Sequence, residues 1–184
     1  MRDRLLDAAQ AMVQDRGIHA VSFQHLADAV GLSKPSVFHH FPNKDALAVA
    51  LIERCQTSYA ERYQAVMASN RSAPEKLDAI AALFEASIAE NHLCLLAALG
   101  LSAPVLPDDV NDELEATANA VIARYTQIFE QGRDEGSLVF EGSPAEAAMA
   151  FLGTLQGLQV LARARRDVST FRPAARSLIG SLTA

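Results

Sequence analysis

Cysteine is nearly missing from these 184 residues: only Cys55 and Cys94 occur, with no CxxC spacing and no cluster with histidine. That pattern excludes a structural zinc site and a disulfide framework. No apolar run is long enough to span a bilayer, and the chain begins with the charged stretch MRDR, not a basic-then-apolar leader, so a soluble, cytoplasmic protein with no membrane partner is expected. No alternation of apolar and polar residues marks a strand, and there is no internal repeat or low-complexity run. An excess of positive charge is missing as well, since 16 lysines and arginines face 22 acids for a net charge of −6, which excludes general coating of nucleic acid. No nucleophile beside a base and no converging carboxylates can be found, so no catalytic residue, enzyme activity or cofactor is expected. His19 and His25 have no third ligand at a suitable spacing and read as surface or capping residues, leaving no metal site.

Half of the residues are hydrophobic, enough for a sizeable core, and their spacing is helical throughout. Ser22 to Leu47, SFQHLADAVGLSKPSVFHHFPNKDAL, organises the rest. Ser22 can cap a helix in which Phe23, Leu26, Ala27 and Val30 share one face. Gly31 can end it in a left-handed conformation, with Leu32 as the accompanying apolar contact. Ser33 can cap a second helix, Lys34 to His40, with Pro35 in its first turn and Val37 and Phe41 facing inward. Two short helices joined by so tight a turn form a helix-turn-helix, whose second helix enters the DNA major groove. Its outward residues, Lys34, Pro35, Ser36, His39 and His40, read as a set with no large apolar member. A solvated helical hairpin is the alternative on geometry alone.

GLSKPSVFHHFPNKDAL closely resembles the signature of the TetR family of bacterial transcriptional regulators, and the match extends upstream through Leu5, Ala8, Ala9, Gly17 and Ser22. The resemblance implies an all-α, two-domain protein: a helix-turn-helix domain over residues 1–46 and a ligand-binding and dimerisation domain over residues 47–184. Ser22, Ser33, Lys34, Pro35, Ser36, His39, His40 and Lys44 are the expected DNA-binding residues. Two positions depart from the family: Phe38 stands where tyrosine is usual, which removes a hydroxyl for phosphate, and Pro35 replaces glycine or alanine. Through Asp45 five basic residues balance five acids, so the negative charge lies downstream and only the N-terminal segment suits DNA.

The remaining helices are read from their apolar periods, to a total of about nine. Helix one, Arg2 to Arg16, turns Leu5, Ala8, Ala9, Met12 and Val13 inward. Asn43 caps a fourth helix to about Ser69, Pro74 starts a fifth, and His92 to Leu101 forms a short buried sixth. Asp108, Asp109 and Asp112 favour the start of a seventh by their charge against the helix dipole. The capping box Ser143-Pro144-Ala145-Glu146 opens an eighth towards Arg163, and Phe171 to Leu182 forms the last. Met149, Leu152, Gly153, Gln156, Gly157, Val160, Leu178, Ile179 and Leu182 carry more apolar surface than a peripheral helix pair needs; intrachain packing is one reading, and the resemblance implies instead a homodimer interface. The resemblance also implies a repressor that binds a palindromic double-stranded operator and is released by a small-molecule effector. An effector cavity would be lined by Tyr59, Tyr63, Phe84, His92, Cys94, Tyr125, Phe129 and Phe151, which favours an apolar or aromatic compound. Two alternatives stay open: a constitutive dimeric DNA-binding protein without effector, and a thiol-based electrophile or oxidant sensor acting through Cys94.

Overall fold

A computed structural model describes the backbone of all 184 residues and every side chain except those of Ser58, Tyr59 and Arg62. Among the described residues the fold is all-α, with nine helices: α1 (Arg2–Arg16), α2 (Phe23–Val30), α3 (Lys34–His40), α4 (Lys44–Met67), α5 (Ala73–Ala89), α6 (Leu95–Gly100), α7 (Asp108–Glu135), α8 (Pro144–Ala164) and α9 (Phe171–Leu182). Single 3-10 turns at Ile18–Ala20, Ala103–Val105 and Val168–Thr170 join them. One isolated antiparallel bridge, Leu138 to Thr183, is the only β pairing among the described residues.

The chain packs as two compact units, Met1–Ser58 with His92–Thr117, and Tyr59–Asn91 with Ala118–Ala184. These units do not coincide with the expected division at residues 46 and 47. The first unit draws in α6 because α6 packs on α1, and because Gln14 of α1 holds the preceding segment at both ends of one residue. The Gln14 side-chain amide donates to the Leu93 carbonyl at 2.7 Å, and the Leu93 N–H donates to the Gln14 carbonyl at 3.4 Å. That clamp, after a left-handed Asn91 at φ 61°, keeps His92 and Leu93 out of the helix. The sixth helix is therefore shorter than expected, and Cys94 is its N-cap.

In the first unit, Leu5, Leu6, Ala9 and Val13 of α1 bury against α2 and α6, while Ala8 and Met12 are only half-buried. The Ser22 hydroxyl accepts from the His25 N–H at 3.1 Å and starts α2. Gly31 ends α2 at φ 71° and ψ 38°, a conformation that a Cβ would strain, and the Leu32 N–H closes the turn on the Ala27 carbonyl at 2.9 Å. Ser33 departs from expectation: its hydroxyl lies 2.9 Å from the Ser36 hydroxyl and caps no amide of α3. Pro35 has no N–H to offer, and the Ser36 N–H is taken by the Ser33 carbonyl at 3.0 Å. Asn43 Oδ1 accepts from the Ala46 N–H at 2.8 Å and caps α4 as read.

In the second unit, α5, α8 and α9 pack on one another through Leu77, Ile80, Phe84, Phe151, Leu155, Phe171 and Ala175, all buried. Removing each large apolar side chain from water contributes about 1.5–3 kcal/mol. Polar ties fix the register: Arg172 of α9 donates to the Asp78 carboxylate at 2.6 Å and to the Asp78 carbonyl at 3.0 Å. Buried Lys76 donates to the Met67 carbonyl at the end of α4, at 3.2 Å, and to Gln131 at 2.7 Å. Capping boxes open α5 (Ser72 with Glu75) and α8 (Ser143 with Glu146).

Two predictions concern this frame. A Cβ on Gly132 would lie 2.4 Å from Leu138 Cδ1 and 2.9 Å from Ala73 Cβ, so Gly132→Ala should lower unfolding free energy by about 1–3 kcal/mol. Urea denaturation reads this directly, and an unchanged midpoint would contradict the close approach. Hydrogen bonds from the Ser72 hydroxyl and amide, and from those of Ser143, hold the Glu75 and Glu146 carboxyls below the ordinary value of 4.5. Their stabilisation is complete above that value and is lost as acid protonates them. A Glu75→Gln/Glu146→Gln variant should melt below the parent at neutral pH and converge with it in acid; parallel curves would show that the caps carry no such linkage.

Candidate nucleic-acid interface

Seven residues make α3, and their burial decides what DNA could meet. Val37 is fully buried and Phe41, just past the helix, nearly so, which fixes the opposite side as the outward one. Lys34, Pro35, Phe38 and His39 are exposed, with Ser36 and His40 half-buried. Phe38 corrects the sequence reading, because its ring is 46% exposed and the outward face does include a large apolar group. Its other edge rests on Phe23 of α2, ring centroids 4.9 Å apart at 70°, and the Lys34 ammonium lies 5.9 Å from its centroid. The His39 and His40 rings meet edge to face at 5.6 Å.

Flanking donors complete this surface. Lys44 is exposed, with Nζ 3.2 Å from the His19 carbonyl, a contact that uses one of its three N–H groups. Ser22 and Ser33 have the hydroxyl contacts already described, so each retains donor or acceptor capacity but neither is free to rotate without loss. Arg4 donates to the Val30 carbonyl at 3.3 Å, and Arg2 lies 5.4 Å from the Phe41 ring, so two of the basic groups near α3 support its scaffold. A short helix presenting small, cationic and imidazole groups, on a rigid two-helix support, is chemically suited to base edges and phosphates.

The residues expected to line an effector cavity fall in both units. Tyr63, Phe84, Tyr125, Phe129 and Phe151 belong to the second unit, His92 and Cys94 to the first, and the Tyr59 side chain lies outside the described residues. Within the second unit, Tyr125 meets Tyr63 at 5.7 Å and Phe151 at 6.3 Å, while Phe129 meets Phe151 at 6.0 Å and Phe140 at 5.2 Å, all edge to face. A cleft beside this cluster, lined by Tyr63, Met67, Val121, Arg124 and Tyr125, has room for about one water molecule. Phe140 and Arg124 escaped the sequence reading; Phe140 lies in the irregular segment before α8, where periodicity gives no inward direction.

Of the helix-pair residues, Met149, Gly153, Gly157 and Val160 are exposed, and Gln156, Leu178 and Leu182 half-buried. Leu152 and Ile179 are already buried by their own chain and present little surface outward. Leu161, exposed to 59%, joins the outward stripe and was not anticipated.

Residues 5–51 match the sequence model of bacterial regulatory proteins of the tetR family, and residues 73–178 match that of the tetracyclin repressor-like C-terminal domain. The chain belongs to the TetR family. It is similar to the HTH-type transcriptional repressor NemR of Escherichia coli K12, at 26% identity over 174 residues that cover 90% of this chain and 85% of NemR. A TetR-family regulator from Agrobacterium tumefaciens has the same fold at a TM-score of 0.93 and 28% identity, covering 100% of this chain and 97% of that one. The reduced form of Escherichia coli NemR shares the fold at a TM-score of 0.81 and 24% identity, covering 100% of this chain and 97% of its own. This TetR-family protein is a DNA-binding transcriptional regulator, with its helix-turn-helix at α2 and α3.

Phe38 gives a test of which side of α3 meets DNA. Phe38→Tyr places a hydroxyl on the exposed ring edge, and one new hydrogen bond of about 0.5–1.5 kcal/mol should tighten binding roughly two- to tenfold. Fluorescence anisotropy on a duplex selected by the wild type measures it. Equal or weaker binding by a folded Phe38→Tyr protein would turn that edge away from phosphate.

Proposed function

We propose that this TetR-family regulator is a cytoplasmic homodimeric repressor that binds a palindromic operator through two copies of α3 and leaves it when a small apolar or aromatic molecule enters the second unit. The observation that carries the dimer is the outer stripe of α8. Met149, Val160 and Leu161 are exposed to 56%, 51% and 59% at helical spacing, and nothing stands within 4 Å of where a Cβ on Gly153 or Gly157 would lie. A second copy laid over the same stripe would remove that apolar area from water, and the two glycines would let the helix axes approach closely. A lone seven-residue helix reads few bases, whereas a two-fold pair reads two half-sites and roughly doubles the contact energy. Repression is the activity named for NemR and for KstR2 of Mycolicibacterium smegmatis, which is 34% identical over 86 residues, and it is carried here from those names.

Release by a ligand requires only that the ligand bind one conformation of the second unit more tightly than the other. The aromatic cluster of Tyr63, Tyr125, Phe129 and Phe151 supplies apolar walls for such a compound, with Arg124 and the tyrosine hydroxyls as polar handles. The same cluster favours a second reading, a constitutive DNA-binding dimer, because its rings close on one another and the adjoining cleft holds about one water. Ligand entry on the first reading therefore includes displacement of rings. Thermal-shift screening with apolar and aromatic compounds, followed by operator release, separates the two readings: no compound that both stabilises the protein and releases DNA leaves the constitutive one.

The dimeric reading itself is tested by selecting from random duplexes and by Gly157→Glu. Selected duplexes should share an inverted repeat with half-sites about one or two helical turns apart. The glutamate would be an unpaired charge in a dry interface, at a cost of about 3–5 kcal/mol, and should give monomers in sedimentation with weak binding to the repeat. An intact Gly157→Glu dimer, or selected sites without two-fold symmetry, would refute the arrangement.

A further inference from the structure

Among the described residues every aromatic side chain but one is buried or half-buried, and the exception stands on the helix that meets DNA. Phe38, in the middle of α3, is 46% exposed. Val37 and Phe41 fill the inner side of the helix, so the ring has no room to withdraw. Phe23 of α2, itself 7% exposed, backs it edge to face at 4.9 Å and 70°. The ring is thus held outward as a firm apolar surface. One turn earlier, the Lys34 ammonium lies 5.9 Å from its centroid and sets a cation beside it. No acid occurs in α3, and Asp28 of α2 accepts a hydrogen bond from Gln24 at 2.8 Å.

We propose that the Phe38 ring reads the 5-methyl group of a thymine in the operator. In the major groove thymine alone presents a methyl group, whereas cytosine carries only a hydrogen at the corresponding carbon. Adenine and guanine present polar edges there, and a phenyl ring laid over them strips water without returning a hydrogen bond. The ring therefore favours thymine over cytosine by the burial of one methyl group, and over both purines by the cost of covering polar atoms. Lys34, Ser36 and His39 carry donors and acceptors for phosphates and neighbouring base edges, and Phe38 adds a contact that hydrogen bonding cannot supply.

The thymine methyl group lies at the side of the groove nearest its own strand's backbone. A ring whose flank covers the methyl can therefore still direct its far edge at phosphate, where a tyrosine hydroxyl would gain a partner. This contact needs the helix-turn-helix at α2 and α3 but neither the dimer nor the effector.

The test alters the DNA and leaves the protein intact. In a duplex selected by the wild type, each thymine in turn is replaced by deoxyuridine, which removes the methyl group and keeps the pairing with adenine. Fluorescence anisotropy should show one thymine in a bound site whose replacement weakens binding by about fourfold, the value of one buried methyl group, with the others near neutral. For a folded Phe38→Ala protein the thymine and deoxyuridine duplexes should bind equally, and for Phe38→Tyr, which keeps the ring's flank, the difference should remain. Phe38→Gln serves in place of Phe38→Ala where loss of the Phe23 contact unfolds the latter. Selected duplexes in which no thymine methyl matters would overturn the contact and leave DNA binding standing. A difference that persists undiminished in Phe38→Ala or Phe38→Gln would give the methyl group to another residue and overturn it as well. So would a uniform loss in those variants with deoxyuridine tolerated throughout, which would place the ring on the sugar-phosphate backbone. Failure of the wild type to select any duplex would overturn the contact together with the role of α3.

Discussion

A helix of seven residues cannot hold itself together in water, and the first unit is organised around that constraint. Nucleating a helix fixes several residues for each hydrogen bond gained, so α3 exists only because its neighbours bury its inner side. Val37 and Phe41 supply that side, and Phe23 of α2 supports Phe38 from behind. The left-handed turn at Gly31 sets the angle at which α3 leaves α2. Behind these, α1 presents Leu5, Ala9 and Val13, and its own far end is clamped to the segment before α6 by Gln14. Each contact further from α3 thus serves to keep the outward residues of a very short helix in one orientation, which direct readout of base edges needs.

The helical framework was legible because apolar spacing and capping chemistry are local. Ser22, Gly31, Asn43, Pro144 and Glu146 act at the positions their types predict, and the core faces of α4, α5 and α7 follow the period of the helix. What stayed hidden depends on partners distant in sequence. Phe38 is missing from the outward set read from the sequence, yet Val37 and Phe41 already fill the inner side, so the ring is left half outside. The sixth helix looked longer because the run from His92 is apolar, and nothing local announces that Gln14 will hold Leu93. Ser33 lost its capping role to Pro35 two residues on, a conflict that was visible in principle. Ser72 and Glu75 also form a capping box with the proper spacing, so α5 begins one residue before the proline that marked it.

The candidate effector and dimer residues show a different limit. Aromatic residues at helical spacing announce burial, but not whether they surround a space or fill it. Tyr63, Tyr125, Phe129 and Phe151 meet edge to face, an arrangement worth about 0.5–1.5 kcal/mol per pair beyond the area removed from water. A ligand entering there must replace those contacts as well as make its own. On α8 the distinction is simpler, because burial separates Leu152 and Leu155, which the chain covers itself, from Met149, Val160 and Leu161, which it leaves exposed. Period alone could not divide them, since a helix gripped on two sides carries apolar residues all round.

Charge explains why such a regulator would be selective rather than merely adhesive. The residues through Asp45 carry no net charge, and the whole chain is at −6, so long-range attraction to DNA is weak or absent. Non-specific binding draws almost wholly on phosphate neutralisation and would suffer most from this deficit. Specific binding adds contacts to base edges, which salt and net charge affect far less. Several of the basic groups in the first unit are also committed within the protein: Arg54 pairs with Asp7, Arg4 holds the end of α2, and Arg2 lies against Phe41. Few cations remain to grip phosphate indiscriminately. An acidic body with a neutral head therefore lowers both kinds of affinity but lowers the unselective kind more, and the ratio between them is what locates an operator among many competing sites.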